Sequence, residues 1–114
     1  MYNLRIHKTL TEKKWDRFAP SQRILMIANE LNRAKNAIIR KNREETRQCY
    51  ERAMELLDLT ISICPERNKR KELLRFREML GLEYLKEGNK NSKVKMLTKI
   101  LLLSDKEAFN SITN

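Results

Sequence analysis

The stretch Arg43-Glu44-Glu45-Thr46-Arg47-Gln48-Cys49-Tyr50-Glu51-Arg52-Ala53-Met54-Glu55-Leu56-Leu57-Asp58-Leu59-Thr60-Ile61-Ser62-Ile63-Cys64-Pro65 decides the fold. Thr46, Cys49, Tyr50, Ala53, Leu56, Leu57, Thr60, Ile61 and Cys64 recur every three or four positions, which places them on one face of an α-helix. Asn42 with Glu45 supplies a capping signal at the start, and Pro65 stops the run. The expected helix spans Arg43 to Ile63.

Toward the N-terminus a second stripe follows the same rule. Ile24, Ile27, Ala28, Leu31, Ala34 and Ile38 share a face of a helix expected to run from a Ser21 cap to Lys41. The cap at Asn42 makes the connection tight, so the two helices should fold back on each other. Before Pro20, Thr9 and Glu12 have capping-box spacing, which predicts a short helix over Leu10–Phe18 carrying Trp15 and Phe18. Met1–Lys8 has no usable periodicity and reads as an extended or mobile arm ahead of a single domain over 9–114.

Toward the C-terminus a third long helix is expected from Glu66 to Lys86, ending at Gly88, whose lack of a Cβ suits a left-handed residue. It has two apolar edges, Leu73, Phe76, Leu80 and Tyr84 on one and Leu74 and Leu85 on the other. That width suits a central helix with two neighbours, or a face left for a ligand. After the polar loop Gly88–Ser92, a fourth helix carries Val94, Leu97, Ile100 and Leu101. Ser104 with Glu107 repeats the capping spacing and predicts a restart that carries Ala108, Phe109 and Ile112. The expectation is an all-α, antiparallel up-and-down bundle of three to four long helices with short N- and C-terminal helices. Only two Gly and two Pro in 114 residues argue against a β-rich fold, which needs turn residues at short intervals.

The formal net charge of +10 concerns partners more than fold: it attracts nucleic acid, an anionic membrane or an acidic protein. Cys49 and Cys64, about 22 Å apart if on one helix, are beyond disulfide reach and suit a reducing compartment. Nothing in Met1–Lys14 has the apolar segment of a signal peptide. The longest apolar runs, Ile24–Ala28 and Ile100–Leu103, are too short for a bilayer, so a cytoplasmic location is expected.

Catalytic chemistry is hard to find. His7 is the only histidine, and it cannot join two distant cysteines in a metal site that needs three or four converging ligands. Gly81 and Gly88 alone cannot build a phosphate-cradling loop. No cofactor and no enzymatic activity are expected. The basic run Arg67, Lys69, Arg70, Lys71, Arg75 and Arg77 opens a helix, where positive charge opposes the macrodipole. Such a broken rule marks an anion-binding face or basic stems flanking the buried stripe, and the first reading makes the chain a nucleic-acid-binding module. Met26, Met54, Met79 and Met96 suit either ordinary core or a groove that repacks around an amphipathic helix from another chain. The spare edge of Leu74 and Leu85 also admits self-association.

One family resembles this order of residues. The chain opens Met1-Tyr2, and Ala19-Pro20-Ser21-Gln22-Arg23-Ile24-Leu25-Met26-Ile27-Ala28-Asn29-Glu30 is similar to the Ser-Pro-x-x-Leu-Ile-x-Met-Leu-aromatic-Asp-Gly signature of flagellin export chaperones. Pro20, Ile24, Met26 and Ile27 carry the match, while Ala28-Asn29-Glu30 stands where the aromatic-Asp-Gly tripeptide would be. Arg33–Ile38, Ala53–Asp58 and Leu102–Phe109 resemble the family's inner and last helices, although that family is usually acidic and this chain is basic. The resemblance implies a cytoplasmic chaperone or adaptor that holds an apolar, export-bound flagellin tail in grooves between helices. It implies contacts at Tyr2, Ile24, Met26, Ile27, Met54 and Leu74, with the N-terminal arm plugging a groove when the partner is absent.

Overall fold

The computed structural model describes residues 10–86, 88 and 90–113 (for 111–113 the backbone alone), and these described residues form six helices and no strand. They are α1 (Glu12–Asp16), α2 (Pro20–Ile39), α3 (Arg43–Ile63), α4 (Arg67–Leu85), α5 (Asn91–Leu103) and α6 (Lys106–Thr113). The four long helices run up and down, with the short α1 and α6 at the termini, as the periodicity predicts. The proposed arm Met1–Lys8, with His7 and Tyr2, lies outside the described residues, as does Thr9.

Local chemistry sets each boundary, and three caps differ from expectation. The first helix begins at Glu12, because Thr11 Oγ1 accepts the Lys14 N–H at 3.2 Å. Ser21 does not cap α2. Pro20 takes the first helical position, where its missing N–H costs nothing, and the Gln22 side chain accepts the Ala19 N–H at 3.0 Å. Ser104 ends α5, and Asp105 starts α6 by accepting the Ala108 N–H at 2.9 Å. The Asn42 cap is as expected: its Oδ1 accepts the Glu45 N–H at 3.1 Å. Just before it, Lys41 sits in the left-handed region at φ 60°. The Lys41 N–H donates to Ile38 O and the Asn42 N–H to Ala37 O, the paired bonds of a Schellman turn. This reversal leaves α3 antiparallel to α2.

One hydrophobic core runs through the bundle. Ile24, Ile27, Leu31 and Ala34 of α2 meet Cys49, Tyr50, Ala53, Leu56 and Leu57 of α3, and Leu73, Phe76 and Leu80 of α4 close on them with Val94, Leu97 and Leu101 of α5. Trp15 joins this core with no exposed surface, and its indole N–H donates to Thr60 Oγ1 at 2.9 Å. The tryptophan is therefore a core residue whose polar atom is satisfied. Because α1 lies on α3, Leu59 is buried although it falls off the predicted stripe, whereas Ile61 and Cys64 are half-buried.

The order of packing differs from one expectation. The central helices are α2, which packs on α3 and α5, and α3, which packs on α2 and α4. In contrast α4 is peripheral, with α3 as its close helical neighbour. On α5, Leu102 is buried toward α2 and α6, and Ile100 is exposed instead.

Candidate functional site

In an up-and-down bundle of four helices each chain-adjacent pair should form a packed seam. Here α2–α3, α3–α4 and α5–α2 pack closely, and α4–α5 does not. Helical geometry fixes what faces this fourth seam. Arg77 and Tyr84 mark the side of α4 turned to α3: Arg77 donates to Asp58 at 2.8 Å, and the Tyr84 hydroxyl donates to Glu51 at 2.7 Å. Met79 lies on the opposite flank, and Leu82 lies on the outer face of the helix. Leu102, buried, marks the side of α5 turned to α2. Met96, Ile100 and Leu103 lie on the exposed half of the helix, Ile100 on the flank away from Leu102 and Met96 and Leu103 opposite the buried Val94. Met79, Leu82, Met96, Ile100 and Leu103 are exposed to 38, 64, 45, 37 and 56 % in the order named. Lys69 bonds the Ser104 carbonyl and ties the two helices together at one end. The described chain measures 37 × 34 × 22 Å, flatter than a bundle closed on all four sides. Exposed Glu72, seven residues before Met79, shares its flank of α4, and exposed Lys93, seven residues before Ile100, shares its flank of α5.

The sequence-derived groove residues do not meet on one surface. Ile24 and Ile27 are buried in the core, reachable only if helices part. Met26 and Met54 are half-buried on the α3-facing flank of α2 and the α4-facing flank of α3. Leu74 is exposed on the outer back of α4 with Leu85. Tyr2 lies outside the described residues. Of the methionines noted in the sequence, Met79 lies on the flank beside the open seam, and Met96 lies exposed on the outer face of α5. The i, i+4, i+7 spacing of Met96, Ile100 and Leu103 was the sequence signal for the exposed apolar edge of α5 beside the seam.

The basic run on α4 divides between two jobs. Lys69 bonds Ser104 O, Arg70 bonds Cys64 O, and Arg77 pairs with Asp58. Ser104 and Cys64 cap the C-termini of α5 and α3, the negative ends of those helices. Positive charge that is unfavourable for α4 itself thus satisfies terminal carbonyls of its neighbours. Arg67, Lys71 and Arg75 remain exposed on one strip of α4.

At the opposite edge, the α2–α3 seam carries buried polar chemistry. Glu30 accepts from Arg52 Nε at 2.7 Å and from Arg33 at 3.2 Å, and Arg52 also reaches Cys49 Sγ at 3.2 Å. The hydrogen bond to Glu30 raises the Arg52 pKa, so the guanidinium stays charged. Burial pushes the Cys49 thiol up and leaves it a poor nucleophile. Both cysteines are free thiols. Among the described residues no three His, Cys, Asp or Glu side chains converge as metal ligands would, and no helix is long and apolar enough to cross a membrane. No family model, no curated protein and no solved structure matches the chain.

Proposed function

We propose that this protein is a non-enzymatic interaction bundle, a chaperone or adaptor whose α4–α5 seam receives an amphipathic helix with acidic borders from another protein. The observation that carries this reading is the pair Met79 and Ile100, exposed on the flanks of the one seam left unpacked, with Leu82, Met96 and Leu103 exposed on the adjoining outer faces of the two helices. A guest helix laid there takes the place a neighbouring helix occupies elsewhere in the bundle, and burial of its apolar stripe contributes about 25 cal/mol per Å² before its ordering cost. Methionine suits a surface that must fit an occupant, because its unbranched thioether repacks cheaply. Lys93 at the α5 rim, on a chain of net charge +10, favours Asp and Glu beside the guest's apolar stripe. The resemblance to flagellin export chaperones points the same way, with an export-bound flagellin tail as the guest and the cytoplasm as the location.

A photo-crosslinking residue at position 96, compared with one at position 74 on the back of α4, tests the proposal in the native cell. Position 96 should capture a protein segment with apolar residues at helical spacing and acidic neighbours. Capture should vanish in the Met79→Asp/Ile100→Asp double variant and weaken only modestly with salt. Capture of RNA, with the steep salt dependence of counterion release, would replace this reading with the nucleic-acid one. Capture of a second copy of the chain would replace it with self-association, and equal yields at positions 96 and 74 would refute it.

A further inference from the structure

A second feature lies at one end of the bundle. The α2–α3 turn, the first turns of α3 and the end of α4 enclose a cleft of about 770 Å³ lined by Ile38, Lys41–Arg43, Thr46, Arg47, Tyr50, Tyr84–Lys86 and Gly88. Its size falls within the range of small-molecule sites. Among the described residues the lining holds four cationic side chains, Lys41, Arg43, Arg47 and Lys86, and no carboxylate. Lys41 and Arg43 are exposed, and Lys86 shares its charge with Glu83 at 3.4 Å. Arg47 spends only its Nε on the Tyr84 hydroxyl, at 3.2 Å, which leaves both terminal nitrogens to donate elsewhere.

The inner wall supplies an independent observation. Tyr50 has no exposed surface, yet its hydroxyl has no hydrogen-bond partner. A buried phenol left unpaired costs stability, so such a group calls for an explanation. Helical side chains lean toward the helix N-terminus, which aims Tyr50 at the cleft end of α3. Burial, and then the Glu83 carboxylate, hold its pKa far above the usual range, so it remains a donor at neutral pH.

We propose that this cleft binds a small phosphorylated organic molecule, whose phosphate is held by Lys41, Arg43, Arg47, Lys86 and the Tyr50 hydroxyl and whose apolar body lies along Ile38 and Leu85. Four cations from two sides exceed what one carboxylate needs and match a phosphate dianion with several acceptor oxygens. The proposal does not depend on the α4–α5 seam.

Calorimetric titration of the full chain with AMP, glucose 6-phosphate and inorganic phosphate tests it. At least one organic phosphate should bind saturably and more tightly than inorganic phosphate. Tyr50→Phe should weaken that binding about tenfold while leaving the melting temperature unchanged or higher, because the hydroxyl it removes has no partner in the free protein. Arg43→Gln should weaken binding by a similar factor. Arg67→Gln makes the same charge change about 27 Å away along α4 and should leave it unaltered. No saturable binding of any of the three would overturn the proposal. So would wild-type affinity in both Tyr50→Phe and Arg43→Gln, an equal loss in Arg67→Gln, or tighter and steeply salt-dependent binding of a short oligonucleotide.

Discussion

The α2–α3 and α4–α5 seams are built from similar helices and finish differently. Along α2–α3, apolar residues interlock, Trp15 seals one end through its bond to Thr60, and the Glu30–Arg52 pair crosses the rim. Along α4–α5, a five-residue connection and the Lys69–Ser104 bond hold the helices together, while the apolar flanks between them face solvent. One seam spends its apolar surface on stability, and the other keeps it available. A bundle can therefore carry a stable core and an interaction surface on the same helical period, divided by which neighbour each flank meets.

This contrast can be broken by substitution. Trp15→Ala should cost the most, about 3–5 kcal/mol in a denaturant titration, since it empties a fully buried site and removes the indole hydrogen bond to Thr60, whose hydroxyl keeps its own bond to Leu56 O. Glu30→Ala should follow at about 1–2 kcal/mol. It leaves Arg52 without its main partner, but Arg52 is a quarter exposed and water recovers part of the loss. Asn42→Ala should cost about 1 kcal/mol through the lost cap on Glu45. Lys41→Gly should change stability in the other direction, raising it by about 0.5–1 kcal/mol, because φ 60° strains a residue with a Cβ. Ile100→Ser and Leu103→Ser should move stability least, by about 0.5 kcal/mol or less, while abolishing capture of the guest helix. If the seam substitutions destabilise as much as Trp15→Ala, the seam is core and the contrast falls.

Much of this arrangement was legible in the residues. The α3 stripe, the Asn42 cap and the Pro65 stop each follow from local rules, and the helix bounds match within a residue or two. Caps chosen between neighbours were less legible. Ser21 competes with the Pro20–Gln22 pair, and Ser104 competes with Asp105, so the residue that aligns with the packed helix prevails. The two apolar edges of α4 were visible, but not that its Met79 flank borders a seam that stays open. The Lys41, Arg43, Arg47 and Lys86 cluster gave no sequence signal, because Lys86 is about forty positions from the others and only the α3–α4 hairpin joins them.

By itself the sequence determined that the chain is helical, where its helices begin and end, and which face of α2 and of α3 is buried. These follow from interactions within a turn or two, such as caps, backbone φ limits and apolar recurrence. The tertiary structure alone decided which helices became central, which flank was left unpaired and which distant cations share a cleft. Those outcomes depend on how helices compete for a finite set of neighbours, a competition that spacing along one helix does not encode.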